Sequence, residues 1–282
     1  MGELIQQAKR GPESDRSKAS ARASLTPFEA RLLFRSGQYD GYTSDFCTGY
    51  VQANLGILPR EYALEFAAYC QRNAQACPLI AIGDVGDPML PMLGNDLDIR
   101  TDVPRYRVYR DGEKAEEPTD ISHLWRDDLV AFVWGCGFSF EQALMEAGVT
   151  LREAARGDNV RLYRTNLDST AAGLFGGKLI VTMRPLRAEH AVRAVEVTSR
   201  FPRVHGAPVH IGAPAELGID DIEKPLFNLP PPQMRPDEIP VFWACGVTAK
   251  LALEAARLPF CIMHKPGSMV IADHLNSSLA IS

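Results

Sequence analysis

Two cysteines set in the same short pattern are the residues best placed for chemistry in this chain. Residues 132–147 read F-V-W-G-C-G-F-S-F-E-Q-A-L-M-E-A, and residues 241–256 read V-F-W-A-C-G-V-T-A-K-L-A-L-E-A-A. Trp134, Cys136, Gly137, Ser139, Ala143 and Leu144 match Trp243, Cys245, Gly246, Thr248, Ala252 and Leu253 at a constant spacing. Each copy predicts an apolar strand, a Cys-Gly turn, a hydroxyl residue suited to an N-cap, and a helix. A helix start with free N–H groups accepts an anion and lowers the pKa of a nearby thiol. Gly137, Ser139, Gly246 and Thr248 are therefore candidate substrate-binding positions, and Cys136 and Cys245 candidate catalytic thiols. Cysteine also fills space in cores, so repeated strand–helix packing explains the same pattern without chemistry.

Groups that move protons or hold carboxylates lie elsewhere in the chain. His205 and His210 stand in H-G-A-P-V-H-I-G, and His264 opens H-K-P-G. Imidazole serves as acid or base near neutral pH. Glu141, in the first turn after the first Cys-Gly corner, is an acid candidate or a helix cap. Arg100 and Arg184 are candidate clamps, because a guanidinium binds a carboxylate through two parallel hydrogen bonds. In D-L-D-I-R-T-D (96–102), an extended backbone places Asp96, Asp98, Arg100 and Asp102 on one face. Asp98 and Asp102 could then hold a divalent cation such as Mg or Mn, or belong to a solvated edge strand. The chain has no G-x-G-x-x-G, P-loop, H-E-x-x-H or G-x-S-x-G pattern, which argues against several common nucleotide-binding and hydrolase classes.

The elements that must position these groups follow from periodicity and turn residues. Thr26-Pro27-Phe28-Glu29 has the form of a capping box and starts a helix running to about Ser36. Residues 49–58 are ambiguous. Helical spacing covers 59–72, and Asp111-Gly112 predicts a hairpin turn. Strands are expected at 129–136, 160–165, 178–183 and 208–211, with a helix over 189–199. Proline-rich 225–240 reads as a rigid extended linker or surface loop, and strand, helix and strand follow to His264. The expected fold class is α/β: a larger three-layer domain from 25–148 plus 216–282, with a smaller two-layer domain inserted at 149–215. Residues 1–24 read as a flexible N-terminal arm. In this arrangement both Cys-Gly corners share one sheet and, if their strands are parallel, lie at its C-terminal edge.

With 282 residues, 46% hydrophobic and 23% charged, the chain can bury a sizeable core. A net charge of −5 gives no electrostatic reason to expect nucleic acid or an anionic membrane as partner. No apolar run is long enough for a spanning helix. The six cysteines form no C-x-x-C pair, which fits free thiols in a cytoplasmic protein better than a disulfide framework or a zinc knuckle. A homo-oligomer is compatible with the sequence.

Several strings, in one order, carry a family resemblance: G-Y-V-Q-A-N-L (49–55), D-I-R-T-D-V-P-R-Y (98–106), G-C-G-F-S-F-E (135–141), M-R-P (183–185), H-G-A-P-V-H-I-G (205–212), V-F-W-A-C-G-V-T (241–248) and H-K-P-G-S-M (264–269). Through them the chain resembles the D-glutamate cyclase family, over about Thr26 to Asp273. The resemblance implies an α/β fold and a hydro-lyase acting on a small acidic amino acid, closing D-glutamate to 5-oxo-D-proline with loss of water. The family's usual Ser is Gly137 here, and its usual T-x-Q is Thr248-Ala249-Lys250. Two other readings of the residues stand beside it: a two-thiol amino-acid racemase or epimerase, and a non-catalytic amino-acid-binding protein.

Overall fold

The computed structural model describes residues 19–152 and 160–281. The first 18 residues of the expected N-terminal arm therefore lie outside the described residues. The protein is mixed α/β and is built on two antiparallel sheets. In the first, the strand order is β2 (Leu79–Ile82), β5 (Leu129–Gly135), β1 (Tyr50–Pro59), β10 (Cys261–His264), β3 (Tyr106–Arg110) and β4 (Glu113–Glu116), and β11 (Val270–Leu275) pairs with β1. The second runs β6 (Arg161–Asp168), β7 (Lys178–Arg187), β9 (Glu238–Ala244) and β8 (His210–Ile211).

The local signals act as their chemistry requires. Helix α1 (Pro27–Arg35) begins with a complete capping box between Thr26 and Glu29. Asp111 and Gly112 both adopt positive φ, 51° and 80°, which lets two residues join β3 to β4. Helix α2 (Arg60–Arg72) buries Phe66, Tyr69 and Cys70. The ambiguous stretch at 49–58 forms β1, the central strand of the first sheet, buried on both faces. Such a strand loses the alternation that marks half-buried ones, which is why its pattern is ambiguous.

The expectation that both Cys-Gly corners share one sheet, with parallel strands, is corrected. β5 belongs to the first sheet, while β9 pairs with β7 in the second, with Val181 opposite Ala244 and Arg187 opposite Glu238. The second sheet thus draws a strand from beyond residue 215. Among the described residues every strand pairing is antiparallel, so neither corner sits at a parallel sheet's edge. The linker reading of 225–240 gives way at its end, where β9 begins at Glu238.

Packing joins the two sheets. Helix α3 (Phe138–Glu146), which follows β5, puts Phe140 and Leu144 into a core with Trp243 and Val241 of β9 and with Ala191 and Ala194 of α4 (Ala188–Thr198). Helix α5 (Val247–Ala255), which follows β9, puts Ala249, Ala252 and Leu253 into a core with Trp134 and Phe132 of β5 and Leu58 of β1. Each repeat's helix therefore packs with the other repeat's tryptophan. A buried aromatic of this size contributes several times the ~0.8 kcal/mol of a single methylene, so the exchange is a substantial part of what holds the sheets together.

Candidate active site

The two Cys-Gly turns lie close together although their strands belong to different sheets. Gly137 and Gly246 occupy the N-cap positions of α3 and α5, each in the αR region and without a side-chain cap. The hydroxyls expected to cap the helices do other work. Ser139 Oγ accepts from Gln52 N–H at 3.3 Å, and Thr248 Oγ1 accepts from Ile180 N–H at 3.0 Å. Gln52 lies on β1, beside β5, and Ile180 lies on β7, beside β9. In both copies the hydroxyl locks the first turn of the helix to the strand next door. This shared role accounts for the repeated hydroxyl, and it places Ser139 and Thr248 as positioning residues.

Trp134 Nε1–H donates to the Gly246 carbonyl at 3.1 Å, so the first repeat grips the second repeat's turn. A Cβ on Gly246 would come within 2.7 Å of that nitrogen and 2.6 Å of Asn54 Nδ2, so only glycine fits. Asn54 Nδ2 donates to the Gly135 carbonyl at 2.9 Å, just before the first cysteine. Asn54 and Gln52 carry a signal visible in the sequence: two polar residues alternating inside an otherwise apolar, buried strand.

Arg184, on β7, is the charged centre of this region. It is 4% exposed. Its Nη2 donates to Glu141 Oε1 at 2.5 Å and its Nη1 to Thr182 Oγ1 at 3.2 Å. The guanidinium carbon sits 5.2 Å from the ring centre of Phe140 and 5.3 Å from that of Trp243. A desolvated cation held by two aromatic faces gains about 2 kcal/mol from that contact. Arg184 Nη2 also lies 3.3 Å from where a Cβ on Gly137 would stand, so that glycine leaves the cation room at the turn. Glu141 is thus a partner of the cation and does not cap the helix.

Cys136 and Cys245 stand at this junction, near enough to each other for their charges to interact, and both feel Arg184. The Phe138 N–H faces the first thiol and the Val247 N–H the second. The expected drop in thiol pKa is nevertheless reversed. Burial pushes Cys136 up to about 12 and Cys245 to about 11, outweighing the helix N–H groups and Arg184. At neutral pH both are thiols, able to donate a proton and poor as nucleophiles.

His205 completes the cluster. It follows the short turn Pro202–Val204 in the left-handed region, φ 80°, and is 3% exposed. Its Nδ1 lies 2.9 Å from the Gln75 carbonyl. A carbonyl only accepts, so Nδ1 carries the proton and Nε2 keeps a lone pair. Burial, with Arg184 nearby, lowers its pKa to about 4.

The other candidates fall elsewhere. His210 contacts the Ala213 carbonyl at 2.9 Å and lies 3.8 Å from Glu216, so its neighbours differ from those of His205. His264 is buried, and its Nδ1 accepts from Leu55 N–H at 3.0 Å, where β1 changes partner from β10 to β11. It supplies Leu55 with a hydrogen bond at that change of partner. The D-L-D-I-R-T-D segment is a series of turns. There Arg100 is paired with Asp98 at 2.7 Å, and Asp102 accepts from Arg35 at 2.6 and 2.7 Å. Asp98 and Asp102 are thus neutralised by arginines, and among the described residues no group of three or more His, Cys, Asp or Glu is arranged to hold a metal ion. These carboxylates do not fit a Mg or Mn site.

His205 and His264 predict a pH dependence of stability. Both have folded pKa values near 4, against 6.5 for the free side chain, because burial disfavours the charged ring. As pH falls below 6.5 the unfolded chain binds protons that the folded chain refuses. Stability is complete above pH 6.5 and declines toward pH 4, by on the order of 3 kcal/mol per histidine. Melting temperatures between pH 7 and 4.5 should fall with this slope. His264→Asn should lower stability at pH 7 and flatten the slope; an unchanged slope would contradict the burial of a neutral ring.

Comparison with known proteins adds the family. A family model described as D-glutamate cyclase matches residues 130–273, just over half the chain. The chain belongs to the D-glutamate cyclase family. A protein of Bordetella petrii is 54% identical over 258 residues, covering 92% of this chain and 97% of its own length. One of Rhodopseudomonas palustris is 54% identical over 257 residues, covering 91% and 94%, and one of Rhizobium johnstonii is 52% identical over 263 residues, covering 93% and 97%. All three carry the name "Putative hydro-lyase". The family match spans both Cys-Gly turns, Glu141, Arg184 and His205. No helix among the described residues is long and apolar enough to cross a membrane.

Proposed function

We propose that the protein is a hydro-lyase that closes D-glutamate to 5-oxo-D-proline with loss of water, and that the junction of the two Cys-Gly turns is its active site. The observation that carries this reading is Arg184: a buried guanidinium, set over the adjoining rings of Phe140 and Trp243, where both turns meet. A site for a small dicarboxylate needs a fixed cation with walls that exclude water, and this arrangement supplies both.

The reaction balances within the substrate. The amine nitrogen bonds to the γ-carboxyl carbon, one C–O bond breaks, and the two protons that leave nitrogen depart with that oxygen as water. The protein has to relay protons and stabilise the oxyanion of the tetrahedral intermediate. In our reading Arg184 holds one substrate carboxylate, exchanging part of its bond to Glu141. His205 Nε2 takes a proton from the ammonium. The neutral thiols of Cys136 and Cys245 donate toward the departing oxygen, and the Phe138 and Val247 N–H groups each face one of these sulfurs. No step requires a metal at Asp98 and Asp102.

The test is an NMR time course with D-glutamate, L-glutamate and 5-oxoproline. Formation of cyclic product from D-glutamate supports the proposal; binding without turnover would identify an amino-acid-binding protein instead. Cys136→Ser and Cys245→Ser should each lower kcat about 100-fold, the usual worth of a positioned acid. Wild-type rates in both would remove the thiols from the mechanism.

The proximity of the two thiols favours one second reading, a racemase with a cysteine on each face of Cα. Deuterium oxide separates them. Exchange at Cα without cyclic product supports racemisation, whereas cyclic product without exchange supports ring closure.

A further inference from the structure

A groove of about 560 Å³ opens between the C-terminal half of α3 and the end of α4, outside the junction of the Cys-Gly turns. A space of this size lies within the range of small-molecule sites. Its floor is apolar: Ala143 of α3, Ala147 just past that helix, Val197 of α4, and Phe201. The small alanine side chains, one helical turn apart, keep one wall low and the groove open.

The rim carries three exposed, charged side chains: Arg193, Glu196 and Arg200. Spacings of three and four residues set them on one face of α4 and of the turn that continues it, where Arg200 N–H donates to the Val197 carbonyl at 3.2 Å. Among the described residues neither Glu196 nor Arg200 has an ion-pair partner. Arg193 Nη1 donates to the Ala147 carbonyl at 2.9 Å, which holds that guanidinium against the groove. Its other N–H groups have no partner among the described residues.

Two cations and one anion over an apolar floor complement a molecule with two carboxylates, one ammonium group and a short methylene chain. We propose that this groove is a second binding site, for an acidic amino acid. The α-carboxylate pairs with Arg200, the ammonium with Glu196 and the side-chain carboxylate with Arg193, each through charge-assisted hydrogen bonds. The methylenes rest on Val197 and the alanine methyl groups. A lactam such as 5-oxoproline has one carboxylate and no ammonium, so it leaves Glu196 and one arginine unanswered. The groove therefore separates an open acidic amino acid from its cyclised form. Its ligand also lies against the segment that carries His205, because the Phe201 carbonyl accepts from Val204 and Gly206 N–H at 2.9 and 3.0 Å.

The test is an NMR titration of the full chain, labelled at the methyl groups of alanine and valine. L-glutamate is the probe, since closure of the D-isomer does not consume it. The expected result is saturable shifts at Ala143, Ala147 and Val197, with a dissociation constant on the order of 1 mM. Glutarate, which lacks the ammonium, and 5-oxoproline should each bind about tenfold more weakly. Arg200→Gln and Glu196→Gln, both at exposed positions and so compatible with folding, should each weaken glutamate binding about tenfold. Absence of shifts at the three groove residues would overturn the proposal, and so would binding that Arg200→Gln leaves unchanged. Shifts confined to Ala244, beside Cys245, would overturn it too, by placing glutamate at the junction alone. The readout is binding and not turnover, so failure here is distinct from failure of ring closure.

Discussion

Arg184→Lys is expected to lower kcat/KM for D-glutamate about 100- to 1000-fold, the loss seen when a preorganised donor is removed from a reacting carboxyl group. Lysine keeps the charge but not the planar fork. It cannot hold Glu141, reach Thr182 and keep its charge over the Phe140 and Trp243 rings at once. Steady-state kinetics and a thermal melt on the same preparation are the measurements. The expected pattern is a large kinetic loss with a melting temperature close to wild type. Arg184→Met should behave differently, because it leaves Glu141, only 14% exposed at its side chain, without its cation. A buried charge stripped of its partner costs about 3–5 kcal/mol. Adding Glu141→Gln to Arg184→Met should restore much of that stability and none of the turnover. If Arg184→Lys retained full activity, the carboxylate clamp would have to be placed elsewhere.

The second large effect is structural in origin and functional in result. Gly135→Ala is expected to destabilise the protein by about 3 kcal/mol or more, because overpacking against fixed backbone cannot relax by a rotamer change. A Cβ on Gly135 would stand 2.2 Å from the Arg203 carbonyl oxygen and 3.3 Å from the Pro78 ring. Arg203 lies in the turn that delivers His205, and Gly135 immediately precedes Cys136. Relief of the clash must move the Arg203 backbone, two residues before His205, away from the turn that carries Cys136. Denaturant unfolding should therefore show the loss of stability, and the folded fraction should turn over slowly at 15 °C. Near-wild-type stability would show that the Pro202–Val204 turn yields freely.

The repeated W-x-C-G corner was legible because its two copies share one local task. Strand, turn and helix follow from nearby residues, and the repeated hydroxyl follows from the need to fasten each helix to the adjacent strand. The capping box at Thr26, the turn at Asp111-Gly112, and the helices at 60–72 and 188–198 were legible for the same reason: short-range sterics and hydrogen bonds fix them. Arg184 and Glu141 could be singled out as chemistry-bearing types. Their pairing could not, since 43 positions separate them in the chain.

Partnership across sheets was hidden. β9 joins β7 through hydrogen bonds that any apolar strand could make, so local pattern could not place the second corner in the second sheet. The direction of the thiol pKa shifts was hidden too. A helix N-terminus alone lowers a thiol pKa, and only the packing around Cys136 and Cys245 revealed that desolvation exceeds that effect. Asp98 and Asp102 resembled metal ligands by spacing, and Arg100 and Arg35 neutralise them in the fold.

The sequence by itself determined the two corners, the elements around them, and the resemblance to a family, because these rest on short-range patterns and on strings that read in order. Only the tertiary structure decided that the corners meet from different sheets around Arg184, that burial raises the pKa of both sulfurs, and that His264 bonds to the backbone of β1 while His205 is buried near Arg184. Those outcomes depend on how much water each group loses and on which distant residue replaces it, and burial of that kind is set by the whole packed chain.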